Sequence, residues 1–174
     1  MKTFVFIIFT VVCIGCSVPE ELRTDKIPNV KPFDINKYIG KWYEIARFDH
    51  SFERGLEQVT AEYSYRDDGK IKVINRGFNP ENQEWDEAEG KAWIPDTTNP
   101  SLLKVSFFWI FSADYKIIKL DTLNYNWSVV TSNSKEYLWI LARKPVLDSQ
   151  IYNDIIKYLQ ATGFDISKMI KVIQ

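Results

Sequence analysis

The sequence predicts an all-β domain in which eight antiparallel strands run up and down and close into a barrel. Between residues 40 and 143, apolar and polar residues alternate in short segments without a helical period. Turn-forming sequences such as Asp68-Gly69 and Asn79-Pro80 separate these segments. The six Trp, nine Tyr and eleven Phe also favour strands. The predicted strands are Lys41–Phe48, Val59–Tyr65, Ile71–Phe78, Trp85–Ile94, Leu102–Trp109, Tyr115–Leu120, Trp127–Thr131 and Tyr137–Arg143.

Closure into a barrel is one of two all-β arrangements that this strand pattern allows. Eight consecutive strands can close on themselves, which removes unpaired edges and leaves an interior wide enough for one small ligand. The alternative is a two-sheet sandwich, but no long crossing connection follows the loop from Asp49 to Glu57. That loop is too long for a tight hairpin. We therefore favour the barrel and expect this loop to act as a lid at its open end.

Helical signals flank the predicted strands. Asp34 is placed to cap a short helical turn immediately before the barrel. Asp148 is placed to cap a longer helix, in which Ile155 and Leu159 share one apolar face. We expect this single C-terminal helix to pack outside the barrel, and the tail from Met169 to Ile173 could add a final strand beside it.

The N-terminal residues have the character of an export signal. Lys2 precedes an apolar run that is too short to span a bilayer, and small or apolar residues then lead to Cys16. This pattern resembles a lipoprotein signal, after which Cys16 would become the acylated first residue. An ordinary cleaved signal and an uncleaved anchor are the alternatives. We predict a signal peptide at residues 1–15, a lipidated tether at 16–33 and the barrel domain at 34–174.

Composition excludes several classes of function. The formal net charge of −1 provides no basic surface for nucleic acid. Both cysteines lie in the N-terminal 16 residues, so no disulfide or cysteine metal site is expected inside the fold. His50 is the single histidine, and no serine nucleophile motif accompanies it, so we expect neither a catalytic site nor a cofactor. The carboxylates of Glu44, Glu53 and their neighbours are expected on strand surfaces and loops.

Three features together resemble the lipocalin family. They are Gly40-x-Trp42 on the first strand, the turn before Tyr137, and Arg143 at the end of the last barrel strand, which the helix follows. The resemblance is carried by residues 41–64, 104–108 and 137–143 and extends over nearly the whole mature chain. Among lipocalins, the chain closely resembles those that are bacterial outer-membrane lipoproteins.

The resemblance implies a calyx with one closed and one open end that binds lipids. Trp42 and Arg143 would meet at the closed end in a structural cation–π contact. Lipidated Cys16 would attach the protein to the outer membrane. Lysophospholipid or fatty acid would be the ligand. A homodimer is also compatible with the resemblance, although no exposed apolar patch in the sequence argues for one.

Inward-pointing side chains should form the ligand wall, and large aromatic residues are expected among them. Alternation gives two faces per strand and does not say which one points inward. Asn75 and Arg76 are also candidates for contacting a carboxylate or phosphate at the mouth. The candidate ligand-binding residues are Ala61, Tyr63, Asn75, Arg76, Trp93, Phe107, Trp109, Tyr115 and Trp139.

Three functions are consistent with such a barrel. The first is a carrier that stores or transports lysophospholipid or fatty acid in the cell envelope. The second is a lipid-modifying enzyme on the same barrel, which would need a nucleophile or acid–base pair inside the cavity. The third is a structural envelope lipoprotein with a filled interior. Because no catalytic motif is found, the carrier is favoured.

Overall fold

The computed structural model describes residues 18–108 and 111–174. Cys16 and Trp109 lie outside these ranges. The strands in the described part of the chain form one antiparallel sheet. They are β1 (Gly40–Phe48), β2 (Glu57–Tyr65), β3 (Ile71–Asn79), β4 (Glu84–Trp93), β5 (Leu102–Phe108), β6 (Phe111–Leu120), β7 (Trp127–Thr131), β8 (Leu138–Ala142) and β9 (Met169–Lys171).

Strands β1 to β8 form a closed barrel, which confirms the predicted fold. Each strand pairs with the next one in sequence, and β1 also pairs with β8. Pairing between β1 and β2 covers only Gly40 to Tyr43 of β1, because the two strands then diverge. The C-terminal tail fills that gap. The Gln174 amide donates to the carbonyl oxygens of Glu44 and Val59 at 2.7 and 2.9 Å.

Both predicted helices are present. Helix α1 (Ile35–Tyr38) is capped by Asp34, and helix α2 (Ser149–Ala161) is capped by Asp148, whose carboxylate accepts from the two backbone N–H groups at Gln150 and Ile151. The buried residues Ile155 and Leu159 place α2 against the outside of the barrel. The predicted tail strand is also found as β9, which pairs with residues 46–48 of β1.

The described residues form two separate apolar cores. The outer core lies between α2 and the barrel wall and includes Ala46, Ile118 and Ile140. The inner core fills the barrel interior around Trp42 and Tyr63. Alternation along each strand assigns its residues to one core or the other, so membership of a core shows which way a side chain points.

The segment before α1 lies along the barrel wall. The carbonyl oxygen of Leu22 accepts from the N–H of Lys135 at 2.7 Å, and the buried Thr24 donates its backbone N–H to Asn133. Further along, the N–H of Val30 donates to the carbonyl of Ile117. The chain therefore runs from the β7–β8 turn toward the opposite end of the barrel, where α1 begins.

The largest difference in strand boundaries is at β6, which starts four residues earlier than the sequence pattern indicates. Strand β6 begins at Phe111, whereas the apolar alternation predicted a start at Tyr115. Ala113 and Asp114 pair with Val105 and Lys104 of β5, so the backbone is extended there. The alternation is weak from Ser112 to Asp114 because these side chains are small or polar, and Ser112 and Ala113 are solvent-exposed.

Candidate functional site: the barrel interior and its two ends

Arg143 and Trp42 lie together at the end of the barrel that α1 covers. The guanidinium carbon of Arg143 is 3.9 Å from the Trp42 ring centroid. The same guanidinium donates to the carbonyl oxygens of Lys37, Tyr38, Ile39, Lys41 and Tyr125, at distances of 2.7 to 3.3 Å. This one side chain thus binds α1, the start of β1 and the β6–β7 loop, which closes this end.

Gly40 gives Arg143 the space that it needs. A Cβ atom at Gly40 would lie 3.3 Å from an Arg143 terminal nitrogen, and the φ angle of +102° is one that other residues rarely adopt. The indole N–H of Trp42 donates to the Tyr38 carbonyl at 2.8 Å. The floor of the barrel is therefore a hydrogen-bonded structural unit.

A group of hydroxyls lies above this floor. The Tyr115 hydroxyl is 2.7 Å from that of Tyr38 and accepts from that of Tyr63 at 2.9 Å, while Tyr38 donates to the Ser128 hydroxyl at 3.2 Å. Burial raises the pKa of Tyr38 to about 12 and raises those of Tyr63 and Tyr115 as well. All three tyrosines are therefore neutral near pH 7, and they provide a polar but uncharged patch deep in the barrel.

Six of the predicted ligand-wall residues face the barrel interior. Tyr63 belongs to the inner core, and four of the others pack against that core. Asn75 is assigned to the interior because it pairs with the inward-facing Ala61. Tyr63 is buried, whereas the other five keep partly accessible surface. These five side chains are thus less tightly enclosed than the residues of the inner core. The inward-facing residues are Ala61, Tyr63, Asn75, Phe107, Tyr115 and Trp139.

Trp93 faces outward, which corrects the prediction that it lines the interior, and Arg76, which was predicted at the mouth, also lies on the outer wall. Ala92 is buried in the inner core, so the next residue, Trp93, must lie on the outer face with its pairing partner Lys104. Arg76 follows the inward-facing Asn75, and its guanidinium carbon lies 4.5 Å from the centroid of Trp85 on the outer wall. Trp109 lies outside the described residues.

A buried charged cluster was not predicted and lies inside the barrel. The Arg47 guanidinium donates to a carboxylate oxygen of Glu44 at 2.7 Å and to the Glu53 carbonyl at 2.7 Å. A Glu53 carboxylate oxygen is 3.9 Å from Arg47 Nε and accepts from the Trp139 indole N–H at 2.9 Å. All three charged side chains are buried. The expectation that Glu44 lies on a strand surface is wrong, and Glu53 lies in the loop as expected but is not exposed.

The cluster carries less charge than its three side chains suggest. Burial, and then the nearby Glu53 carboxylate, raise the pKa of Glu44 to about 8 despite the opposing effect of Arg47. Burial also raises the pKa of Glu53. Glu44 is therefore largely protonated at pH 7. Arg47 Nε has no hydrogen-bond partner in the part of the chain that the structure describes.

The cluster holds the loop that was predicted to act as a lid. Arg47 binds the carbonyl oxygens of Glu53 and Leu56, which fixes residues 53–56 against the interior. Within the same loop, the His50 ring stacks on Tyr137 with 4.6 Å between ring centroids. Burial lowers the pKa of His50, so the imidazole is neutral near pH 7. The loop lies at the open end in a defined position.

Period-two alternation alone could have identified Glu44. It lies two residues after Trp42, so an inward Trp42 places Glu44 on the same face. Arg47 has the opposite parity and points inward only because the register shifts between Glu44 and Ala46. No sequence feature marks that irregularity, which is why the complete cluster is visible only in the structure.

Neither a membrane helix nor a metal centre is found in the described residues. No helix in residues 18–108 and 111–174 is long and apolar enough to cross a membrane. In the same residues, no group of three or more His, Cys, Asp or Glu side chains is placed to hold a metal ion.

Comparisons with known proteins agree with this architecture. The chain is 44% identical over 175 residues to the outer membrane lipoprotein Blc of Vibrio cholerae, covering 100% of this chain and 99% of that protein. It is 45% identical over 161 residues to Blc of Escherichia coli K12, covering 92% and 89%. Apolipoprotein D of Macaca fascicularis is 34% identical over 164 residues, covering 89% and 86%.

Solved structures show the same fold at lower identity. Insecticyanin from the tobacco hornworm Manduca sexta superposes with a TM-score of 0.69 at 22% identity, covering 85% of this chain and 84% of that one. Lobster apocrustacyanin A1 gives a TM-score of 0.67 at 20% identity, covering 91% and 93%. The family model described as a lipocalin-like domain matches residues 33–174. The chain therefore belongs to the lipocalin family.

Proposed function

We propose that this protein is a lipid-anchored carrier that stores or transports lysophospholipid or fatty acid in the bacterial cell envelope. The proposed mature protein begins at Cys16, which follows a signal peptide at residues 1–15 and carries the acyl chains that attach it to the outer membrane. The bacterial relatives named outer membrane lipoprotein Blc support both the location and the anchor.

The observation that carries the proposal is the partly accessible inner face. Aromatic and aliphatic side chains such as Phe107, Val105 and Trp139 pack at the edge of the inner core but are not fully buried. Interior surface of this kind suits an acyl chain, because each CH₂ group removed from water contributes about 0.8 kcal/mol. The filled and hydrogen-bonded floor around Tyr38 and Trp42 would set the depth that the acyl chain can reach.

Polar groups lie between the floor and the lid loop. Arg47, Glu44 and Glu53 form a cluster in which Arg47 Nε is unpartnered among the described residues and Trp139 is partly accessible. A lipid head group that stays near the mouth would lie close to this cluster while its chain occupies the apolar interior. A small number of polar groups in an apolar pocket is the usual arrangement that orients a ligand.

The same contacts favour binding over catalysis. The two carboxyl groups of the cluster are already engaged, Glu44 by Arg47 and Glu53 by the Trp139 indole. His50 stacks between Tyr137 and Phe52 rather than facing a nucleophile. The proposal is therefore a non-catalytic carrier, in keeping with membership of the lipocalin family.

Native mass spectrometry of the protein with lysophospholipid or fatty acid tests the proposal. We expect a one-to-one adduct with the wild type. Ala88→Trp should weaken the adduct, because Ala88 pairs with the inward-facing Asn75 near the β3–β4 end of the barrel, where a large side chain would narrow the entrance. Glu89→Trp is the matched control, since the next residue lies on the outer face and is exposed.

Intrinsic fluorescence gives a second measurement on the same samples. Trp139 faces the interior and should report lipid entry, whereas Trp93 faces outward and should not. A wild-type protein that forms no adduct with either lipid class, and whose tryptophan emission stays unchanged at saturating lipid, would disprove the carrier. Equal adduct formation by both tryptophan variants would place the ligand somewhere other than in the barrel.

A further inference from the structure

We propose that the open end of the barrel docks directly onto the membrane that anchors the chain, through an aromatic rim formed by Phe52, Phe108 and Phe111. The inference rests on the proposed lipidation of Cys16 and goes beyond it. An anchor by itself would allow the barrel to take any orientation at the end of a tether. The proposed rim fixes the mouth against the lipid surface.

The rim residues are large, aromatic and exposed. Phe52, Phe108 and Phe111 have 66%, 75% and 70% of their surface exposed. Three exposed phenylalanine side chains at one end of a domain are unusual, because burying one is worth about 1.5–3 kcal/mol. Phenylalanine rings of this kind insert at the interface between lipid head groups and acyl chains.

All three side chains lie at the same end of the barrel. Phe52 belongs to the β1–β2 loop, and Phe108 and Phe111 flank the β5–β6 turn. In an up-and-down barrel, the odd-to-even connections all lie at one end, and the β7–β8 turn belongs to the same group. The rim therefore surrounds the end opposite the floor formed by Trp42 and Arg143.

The anchor approaches from this end. Leu22 and Thr24 are hydrogen bonded to Lys135 and Asn133 in the β7–β8 turn. The six residue-to-residue steps from Cys16 to Leu22 span at most about 20 Å when fully extended. The nine-residue strand β1 rises about 30 Å, or about 23 Å along the barrel axis after a tilt of about 40°. Cys16 therefore reaches a membrane at the open end easily, and one at the closed end hardly at all.

Exposed apolar residues also occur at the closed end, but without such support. Leu123 and Val146 are 81% and 80% exposed. They are single aliphatic residues in two separate loops, and the chain that leads to Cys16 is hydrogen bonded at the other end of the barrel. They therefore serve as a matched control rather than as a second docking site.

Charge near the rim indicates the kind of membrane. Arg54 beside Phe52 is paired with Asp49 at 2.7 Å, and the nearby β3–β4 hairpin carries the exposed acidic residues Glu81 and Glu84. Among the described residues, the charges beside Phe52 and on the β3–β4 hairpin are thus paired or acidic, which does not favour anionic lipid. We expect insertion into zwitterionic lipid that is insensitive to salt, since apolar contacts are not screened.

A pair of fluorescent labels can test this orientation in the lipidated full chain. Ser51→Cys places a nitrobenzoxadiazole label beside the rim, and Thr122→Cys places one beside Leu123 at the closed end; both positions are exposed. Each protein is reconstituted into phosphatidylcholine vesicles that contain lipids with a nitroxide quencher on the acyl chain. We expect blue-shifted emission and strong quenching at position 51 and neither at position 122.

Serine variants then identify the groups responsible. Replacing all three rim phenylalanines with serine should remove the blue shift and the quenching at position 51, and Phe52→Ser alone should reduce both. Leu123→Ser should change neither. Equal quenching at both labels, stronger quenching at position 122, or a rim signal that survives the triple substitution would overturn the proposal.

Three further outcomes keep the interpretations apart. A blue shift at position 51 that appears without vesicles and grows with protein concentration would mean that the rim contacts a second copy of the chain, which refutes membrane docking. A purified protein whose mass shows no acylation would remove the basis of the inference. A lipid adduct in native mass spectrometry together with an unquenched rim would refute docking while leaving the proposed carrier function intact.

Discussion

Replacing Arg143 should destabilise the protein strongly without changing the ligand that it binds. The guanidinium covers the Trp42 ring and donates to five backbone carbonyls in three segments. Arg143→Ala removes all of these contacts at once. Lysine keeps the positive charge near the indole but cannot reproduce the planar fork, so Arg143→Lys should recover only part of the loss.

The expected magnitude follows from the partial exposure of the site. Hydrogen bonds to a charged group contribute about 1.5–3 kcal/mol each, and the cation–π contact about 0.5–2 kcal/mol. The contributions are not additive, and water can replace several donors because Arg143 is half-buried. We expect the free energy of unfolding to fall by about 3 kcal/mol for alanine and about 2 kcal/mol for lysine.

Urea unfolding of the domain that begins at Val18 measures both losses. With a slope of about 2 kcal/mol per molar urea, the midpoint should fall by about 1.5 M for alanine and about 1 M for lysine. Lys144→Ala is the control, because that neighbouring residue is exposed. An alanine variant with the wild-type midpoint, or one that keeps its stability but loses the lipid adduct, would refute a structural role at the closed end.

Two further predictions concern the interior. The pKa of Glu44 is raised in the folded state, so its contribution to stability is complete below the unfolded pKa of about 4.5 and is lost as pH rises through about 8. Between pH 6.5 and 8, the unfolding free energy of the wild type should therefore fall with pH, and Glu44→Gln should reduce that slope by at most about 1.4 kcal/mol per pH unit. Glu62→Gln, at an exposed position, should leave the slope unchanged. Identical slopes in the wild type and both variants would contradict the raised pKa of Glu44. Gly90→Ala should lower the free energy of unfolding by about 1–3 kcal/mol and weaken lysophospholipid binding, because the new Cβ would lie 2.7 Å from a ring carbon of Phe107. Urea unfolding and native mass spectrometry measure the two effects. Wild-type stability and binding in this variant would mean that the Phe107 ring moves aside freely.

The fold could be predicted because the local turn and capping signals agree with the strand pattern of the whole domain. The turn at Asp68-Gly69 illustrates this: Gly69 has a φ of +77°, as the hairpin sequence requires, and it connects two strands whose alternation was already clear. Capping by Asp34 and Asp148 was equally local. Closure of the barrel could also be predicted from the sequence, because consecutive hairpins leave the first and last strands free to pair with each other.

The inner face was less predictable because it depends on register. Trp93 was selected for its size, yet its buried neighbour Ala92 is the residue that faces the core. Strand β4 is amphipathic only in its last four residues, while Glu84 to Glu89 are exposed on both faces. A pattern so weak does not fix the parity of a strand, and a large aromatic side chain on an outer wall is stable when it covers its neighbours.

The charged cluster poses a harder energetic question than the aromatic wall. A buried arginine with two carboxyl groups rarely stabilises a fold more than apolar side chains of similar volume, because desolvation offsets the attraction. Here the cost is reduced because burial raises the pKa of Glu44 and so favours its neutral form. The remaining bonds of Arg47 go to the backbone at Glu53 and Leu56. The cluster therefore fixes the entrance loop from within, so the mouth has a defined shape before a lipid arrives, and replacing Arg47 with an apolar residue should loosen the mouth even if the barrel remains stable.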